Sequence, residues 1–281
     1  MIGKKIGAAI ITLLVVCALI SCGKKEQAGR EDAGNEAASE TASSAVKPGE
    51  MVLIPAGDFT MGIDDKDSLA YPKHTVNLPA FWIDKYEVTN SQFMDFSINE
   101  RYPGEGVKEG KDWRLWFTMD KSQFPVVYIT WNDATAYCKS KGMRLPTEEE
   151  WEKAARGTDG RAYPWGNDFE PGRANTYESG GGNPVAVGQC DDVSPFGVHD
   201  MLGNVQEWTA SLYVTYKGNP KRDPNSGKDF RVVRGLGARH RGKLAHLWDR
   251  IATPPSSLYN FGFRCVKDAT PEEAAKASQS R

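Results

Sequence analysis

The residues best suited to chemistry lie between Phe230 and Cys265. His240 and His246 stand close together there, followed by Asp249. Imidazole ligates copper, iron and zinc and exchanges protons near neutral pH. Yet only one carboxylate is spaced near the pair, and the run between them has no regular period. The two histidines therefore read first as surface residues and second as a metal pair. Arg239, His240, Arg241 and Lys243 also form a basic patch. The chain carries 35 basic and 37 acidic residues, a net charge of −2, which argues against a nucleic-acid surface. The patch reads as a solvated loop rather than a phosphate site. Arg239, Arg241 and Trp248 are types that anchor interfaces. With His240, Leu244, His246 and Leu247 they make the segment a candidate contact surface for a peptide, glycan or envelope protein.

Something rigid must hold that segment. Val232-Val233 before it and Phe261 to Cys265 after it read as short strands, and irregular loops on rigid edges carry most chemistry. Upstream, Met51 to Ile54 and Phe59 to Gly62, joined by Pro55-Ala56-Gly57, read as a hairpin. His74 to Leu78 alternates with period two, and Phe81 to Asp84 should continue that sheet. Thr89 with Gln92, Thr130 with Asp133, and Thr147 with Glu150 predict three capped helix starts, the last two helices stopped by Gly142 and Gly157. Glu148, Glu149 and Glu150 fit the first turn through the helix dipole. Trp113, Trp116 and Phe117 should anchor the loop over residues 99–122, and Phe124 to Ile129 should be a strand.

The N-terminus bears on compartment. Lys4 and Lys5 precede an apolar run from Ile6 to Ile20, the length of a signal-peptide core and short for a membrane span. Leu19-Ile20-Ser21-Cys22 resembles a bacterial lipobox, so Cys22 is the expected lipidation site, with acyl chains such as palmitate anchoring the chain in the membrane. Gly23 stands where an Asp would retain the protein in the inner membrane, which favours the outer membrane of the cell envelope. Residues 1–21 then form the signal, 22–48 a polar tether, 49–268 the folded domain and 269–281 a polar tail. Of the five cysteines, Cys138, Cys190 and Cys265 remain in the mature domain, enough for one bridge and one odd thiol.

Across residues 51–267 the motifs resemble one family, the formylglycine-generating enzymes or sulfatase-modifying factors. They include Glu87-Val88-Thr89-Asn90, Arg144-Leu145-Pro146-Thr147 with Glu148 to Glu152, Gly203-Asn204-Val205 with Glu207-Trp208, Arg234-Gly235, and Gly262-Phe263-Arg264-Cys265. The resemblance implies an irregular, loop-rich α+β fold of C-type-lectin-like form. It implies an oxidase acting on cysteine within Cys-x-Pro-x-Arg, with copper held by two cysteines after Arg-Gly. Here those positions fall on His240 and on Ala245 or His246, so copper is not expected. It also implies a Cys138–Cys265 disulfide. A calcium site would use Asp200, Glu207 and the carbonyls of Gly203 and Val205. A second calcium site at Asn175 would need an acidic loop that is shortened here to Ser179-Gly180-Gly181-Gly182-Asn183. Two functions follow: a binding or assembly module that keeps the scaffold, or an oxidoreductase with a different metal.

Overall fold

In the computed structural model, which describes residues 46–279, each predicted threonine caps its helix. α1 (Asn90–Asn99) begins at Thr89, whose hydroxyl accepts from Gln92 N while Gln92 Oε1 accepts from Thr89 N. α2 (Trp131–Ser140) and α3 (Glu148–Arg156) repeat the device with Asp133 and Glu150 at the third position. Each reciprocal pair satisfies two orphan backbone donors.

The strands are β1 (Met51–Ile54), β2 (Gly57–Met61), β3 (His74–Leu78), β4 (Phe81–Asp84), β5 (Gln206–Leu212), β6 (Arg231–Arg234), β7 (Ile251–Thr253), β8 (Phe261–Gly262) and β9 (Val266–Asp268). They form three small sheets, ordered β1-β4-β9, β2-β3 and β7-β6-β5-β8. The expected β1–β2 hairpin does not form. At Pro55 and Gly57, where φ is +125°, the chain leaves one sheet for another, so β1 pairs with β4 and β2 with β3. For the same reason β4 does not extend β3. The stretch from Phe124 to Ile129 is not a strand but a single bridge, Thr89 with Pro125; Tyr128, at φ +60°, breaks the extended backbone. Two further helices form: the short α4 (Tyr177–Gly180) mid-chain, and α5 (Pro271–Gln279) in the polar tail, starting from a Thr270–Glu273 box.

Two apolar clusters fill the interior. One gathers Ile54, Phe81, Ile83, Trp151, Met201, Leu202 and Leu247. The other stacks Phe93 against Trp113, Tyr137 and Phe263 around the Cys138–Cys265 disulfide, whose Cα atoms are 5.8 Å apart. Trp113 is thus the loop's anchor. Trp116, expected to be one, is half exposed. Among the described residues no helix is long and apolar enough to cross a membrane. The signal over residues 1–21, Cys22 and most of the tether lie outside the described residues.

Candidate functional site

Strands β6 and β8 bracket the 235–260 segment as expected. Both flank β5, β6 antiparallel and β8 parallel to it, and β7 within the segment adds a fourth strand. Past β6 the chain bends at Gly235 (φ +93°), where a Cβ would stand 3.2 Å from the Trp151 ring. The segment is then pinned by Ala238, Ala245 and Leu247, all buried. Leu247, expected on the contact surface, is in the core instead. Trp248 is half buried: its ring lies 4.4 Å from that of His246, and the Arg156 guanidinium sits 5.1 Å from it. Arg239 and Arg241 are exposed.

The two histidines are held by local partners. His240 Nδ1 is 3.1 Å from the Gly237 carbonyl, and the His240 carbonyl accepts from Tyr177 N. His246 N donates to Asp249 Oδ2 at 2.7 Å, and its Nδ1 is 3.7 Å from the same oxygen. Among the described residues no three His, Cys, Asp or Glu side chains converge as a metal cage.

The segment does contribute to a cleft of about 330 Å³. Its walls are Trp116, Tyr128, Phe124, Pro125, Val127 and Pro184, with Asn90, Lys121, Asn183, Arg239 and Asn260 at polar positions. Trp116 stacks on Tyr128 with ring centroids 4.4 Å apart. Tyr128 holds a left-handed backbone that costs a non-glycine residue about 1–3 kcal/mol and gathers at binding sites. Its N–H donates to the Tyr259 carbonyl, which ties the strained turn to the residue before Asn260. Of these lining residues the sequence singled out Arg239 as a contact and Trp116 as an anchor. The others come from stretches far apart in the chain, and no spacing signals them.

The interior also holds a buried acidic group: Asp84, Glu87, Asp192, Asp200 and Glu207 around one buried guanidinium, Arg264. Arg264 clamps Glu207 through Nε at 2.8 Å and Nη2 at 2.7 Å, and Trp151 Nε1 donates to the same carboxylate. Glu87 accepts from Asn204 Nδ2 and Val205 N. Asp200 accepts from Gly188 N. Burial pushes the Asp84 and Asp200 carboxyls up to about 6. Burial, then the neighbouring carboxylates, pushes Glu87 and Asp192 well above the usual range. Burial and the Lys85 and Arg264 charges lower His199.

The oxygen-rich surroundings suit a hard cation in kind. The expected ligands fit only in part, because Glu207 is taken by Arg264 and Asp200 by a backbone donor. One of the unpartnered buried oxygens among the described residues is Asn175 Oδ1; the Nδ2 of the same side chain donates to Asn183 O and Asn204 Oδ1.

A pH dependence follows. With folded values near 6 against 3.8 unfolded, Asp84 and Asp200 take up protons on folding. Their stabilisation is present below about pH 4 and is lost as pH rises through 6. Between pH 5 and 8, with calcium chelated, each should lose about 1 kcal/mol or slightly more, lowering Tm by roughly 5–10 °C in all. Calorimetry in buffered chelator checks this. A Tm that stays level or rises would mean that these carboxyls ionise freely in the folded chain. Calcium added at pH 8 should recover the loss if a cation neutralises the cluster.

The family model of the sulfatase-modifying factor enzyme 1-like domain matches residues 36–269. The chain belongs to this family. The sulfatase-modifying factor domain here is 33% identical to inactive C-alpha-formylglycine-generating enzyme 2 of Bos taurus, covering 78% of this chain and 88% of that protein. It is also 33% identical to the formylglycine-generating enzyme of Mus musculus, covering 79% and 76%. Among solved structures, PvdO from Pseudomonas aeruginosa superposes with TM-score 0.63 at 26% identity, over 80% of this chain and all of that one. The fold is the loop-rich α+β arrangement of the family.

Soft thiolates select monovalent copper, and the site that the resemblance implies would need two of them free. Of the three described cysteines, Cys138 and Cys265 are joined and Cys190 is buried. Ala245 offers only a methyl group, itself buried. The residues here do not fit a thiolate copper site.

Proposed function

We propose that this chain is a non-catalytic member of the sulfatase-modifying factor family, a binding or assembly module tethered to the cell envelope. One observation carries the reading: the scaffold persists, with its disulfide and buried ion pairs, while the family's copper-cysteine positions hold His240 and Ala245 or His246. Relatives whose names carry the word inactive support it. The cleft at Trp116, Tyr128 and Arg239 is the binding surface. Cys22 carries lipid that holds the domain at the outer membrane. Calcium, where bound, sits at the Asp200–Glu207 loop and holds that loop in place without taking part in chemistry.

The full chain, purified in detergent and loaded with copper(I), is expected to keep no stoichiometric copper and to consume no oxygen with a Cys-x-Pro-x-Arg peptide. Copper or iron that is retained by the wild type and lost in a His240→Ala, His246→Ala variant would overturn the reading in favour of an oxidoreductase. Radiolabelled palmitate should mark the wild-type chain and leave a Cys22→Ser variant unlabelled; equal labelling would refute the anchor.

A further inference from the structure

The cleft's charge identifies its ligand more closely than its shape does. Its lining includes two cations, Lys121 and Arg239, and no carboxylate. Among the described residues no carboxylate forms a salt bridge with either cation, although the Lys121 charge is felt by exposed Asp120. The nearest acid in sequence, Asp120, hydrogen-bonds the Thr118 side chain and is fully exposed. Arg239 is placed deliberately: its stem crosses Gly182, where φ is +88° and a Cβ would stand 3.4 Å from Arg239 Cγ. The same cleft carries an aromatic pair, Trp116 stacked on Tyr128. On the same loop Leu115, next to Trp116, and Met119, three residues on, are 75% and 81% exposed.

Resting on the binding-module reading above, we infer that this cleft captures an extended peptide segment presenting a carboxylate beside an aromatic or aliphatic side chain. The carboxylate meets Lys121 and Arg239, as a charge-assisted contact in a partly dry site. The apolar neighbour packs on Trp116 and Tyr128. A small organic anion would fill the cleft and leave Leu115 and Met119 bare, whereas a chain covers both. A substrate bearing Cys-x-Pro-x-Arg would bring its arginine toward like charges, which selects against it.

The test uses the full chain and three fluorescein-labelled hexapeptide mixtures whose central pair is Glu-Phe, Gln-Phe or Lys-Phe, read by fluorescence polarisation. The Glu-Phe mixture is expected to bind about tenfold tighter than Gln-Phe, and tighter still than Lys-Phe. The Lys121→Ala, Arg239→Ala variant should erase that preference, and salt near 0.5 M should shrink it. Trp116→Ala should weaken all three mixtures together. All three substitutions are at accessible positions, and an unchanged Tm confirms that each variant folds. Equal binding of Glu-Phe and Gln-Phe, a preference for Lys-Phe, or no binding by any mixture would overturn the inference. None of the peptides contains cysteine, so the result is independent of the oxidase assay, and either conclusion can fail without the other.

Discussion

A Glu152→Ala variant is expected to lose about 3–5 kcal/mol of folding stability. Glu152 is fully buried on α3, and its carboxylate receives Arg156, Arg234 and the Gly62 N–H, the last at 2.7 Å. Both guanidiniums are almost wholly buried. Alanine leaves two desolvated cations facing the space their counter-ion occupied. The loss is not larger because each arginine keeps other acceptors. Arg234 donates to the Trp248 and Asp249 carbonyls at 2.8 and 2.9 Å and lies 3.6 Å from Glu148; Arg156 donates to the Arg161 and Gly62 carbonyls. A native chain has only about 5–15 kcal/mol in hand, so this variant should accumulate poorly. Glu152→Gln keeps the shape and one acceptor and should fall between it and wild type. Glu149→Ala, three positions earlier and only partly buried, should change stability by less than about 0.5 kcal/mol. Urea unfolding followed by tryptophan fluorescence measures all three. A Glu152→Ala midpoint close to wild type would show that the network contributes little. The same substitution bears on the cleft, since Arg234 fixes the carbonyls of Trp248 and Asp249 in the segment that carries Arg239.

The helices were legible because their signals are local. Thr89, Thr130 and Thr147 each sit three residues from their partners, and a capping box needs nothing beyond that window. The sheets were not, because partners are chosen by the fold. β1 and β2 are neighbours in sequence with a turn between them, yet Gly57 turns the chain out of the plane and each strand finds a distant mate. The glutamates of α3 show both cases. The helix dipole accounts for acids in a first turn, but Glu148 pairs with Arg250 and Glu150 with Arg144, and the partner of Glu148 lies 102 residues away. The family motifs reached further than periodicity. They placed Cys138 beside Cys265 and marked Arg234 and Arg264, because a motif preserves contacts that composition does not encode. The cleft escaped both kinds of reading. Lys121 and Asn260 belong to no motif noted in the sequence, Tyr128 was read only as part of a strand, and the three line one cleft only once the chain has folded.

Removing the Cys138–Cys265 bridge should be as damaging as the loss of Glu152, by a different route. The disulfide spans 127 residues, and in the chain-entropy model closing a loop of that length contributes about 5 kcal/mol by restricting the unfolded chain. The folded state should change little. Cys265 N donates to Asp84 Oδ2 at 2.8 Å and its carbonyl accepts from Asp84 N, so β4 holds this backbone without the bridge. Both sulfurs are buried in the aromatic cluster, so a Cys138→Ala, Cys265→Ala variant keeps an apolar site and should lose about 4–5 kcal/mol. The double serine variant buries two hydroxyls and should lose about 1–3 kcal/mol more for each one left unpaired. The urea slope offers a second readout. An unbridged chain exposes more surface on unfolding, so its m-value should rise in both variants. A double alanine variant with the wild-type midpoint and slope would mean the bridge is dispensable. If the loss is as large as the loop length implies, a chain made in a reducing compartment would keep the cleft but lack the stability to populate it fully. Correct function then depends on delivery to an oxidising space, which is where the expected signal over residues 1–21 would send it.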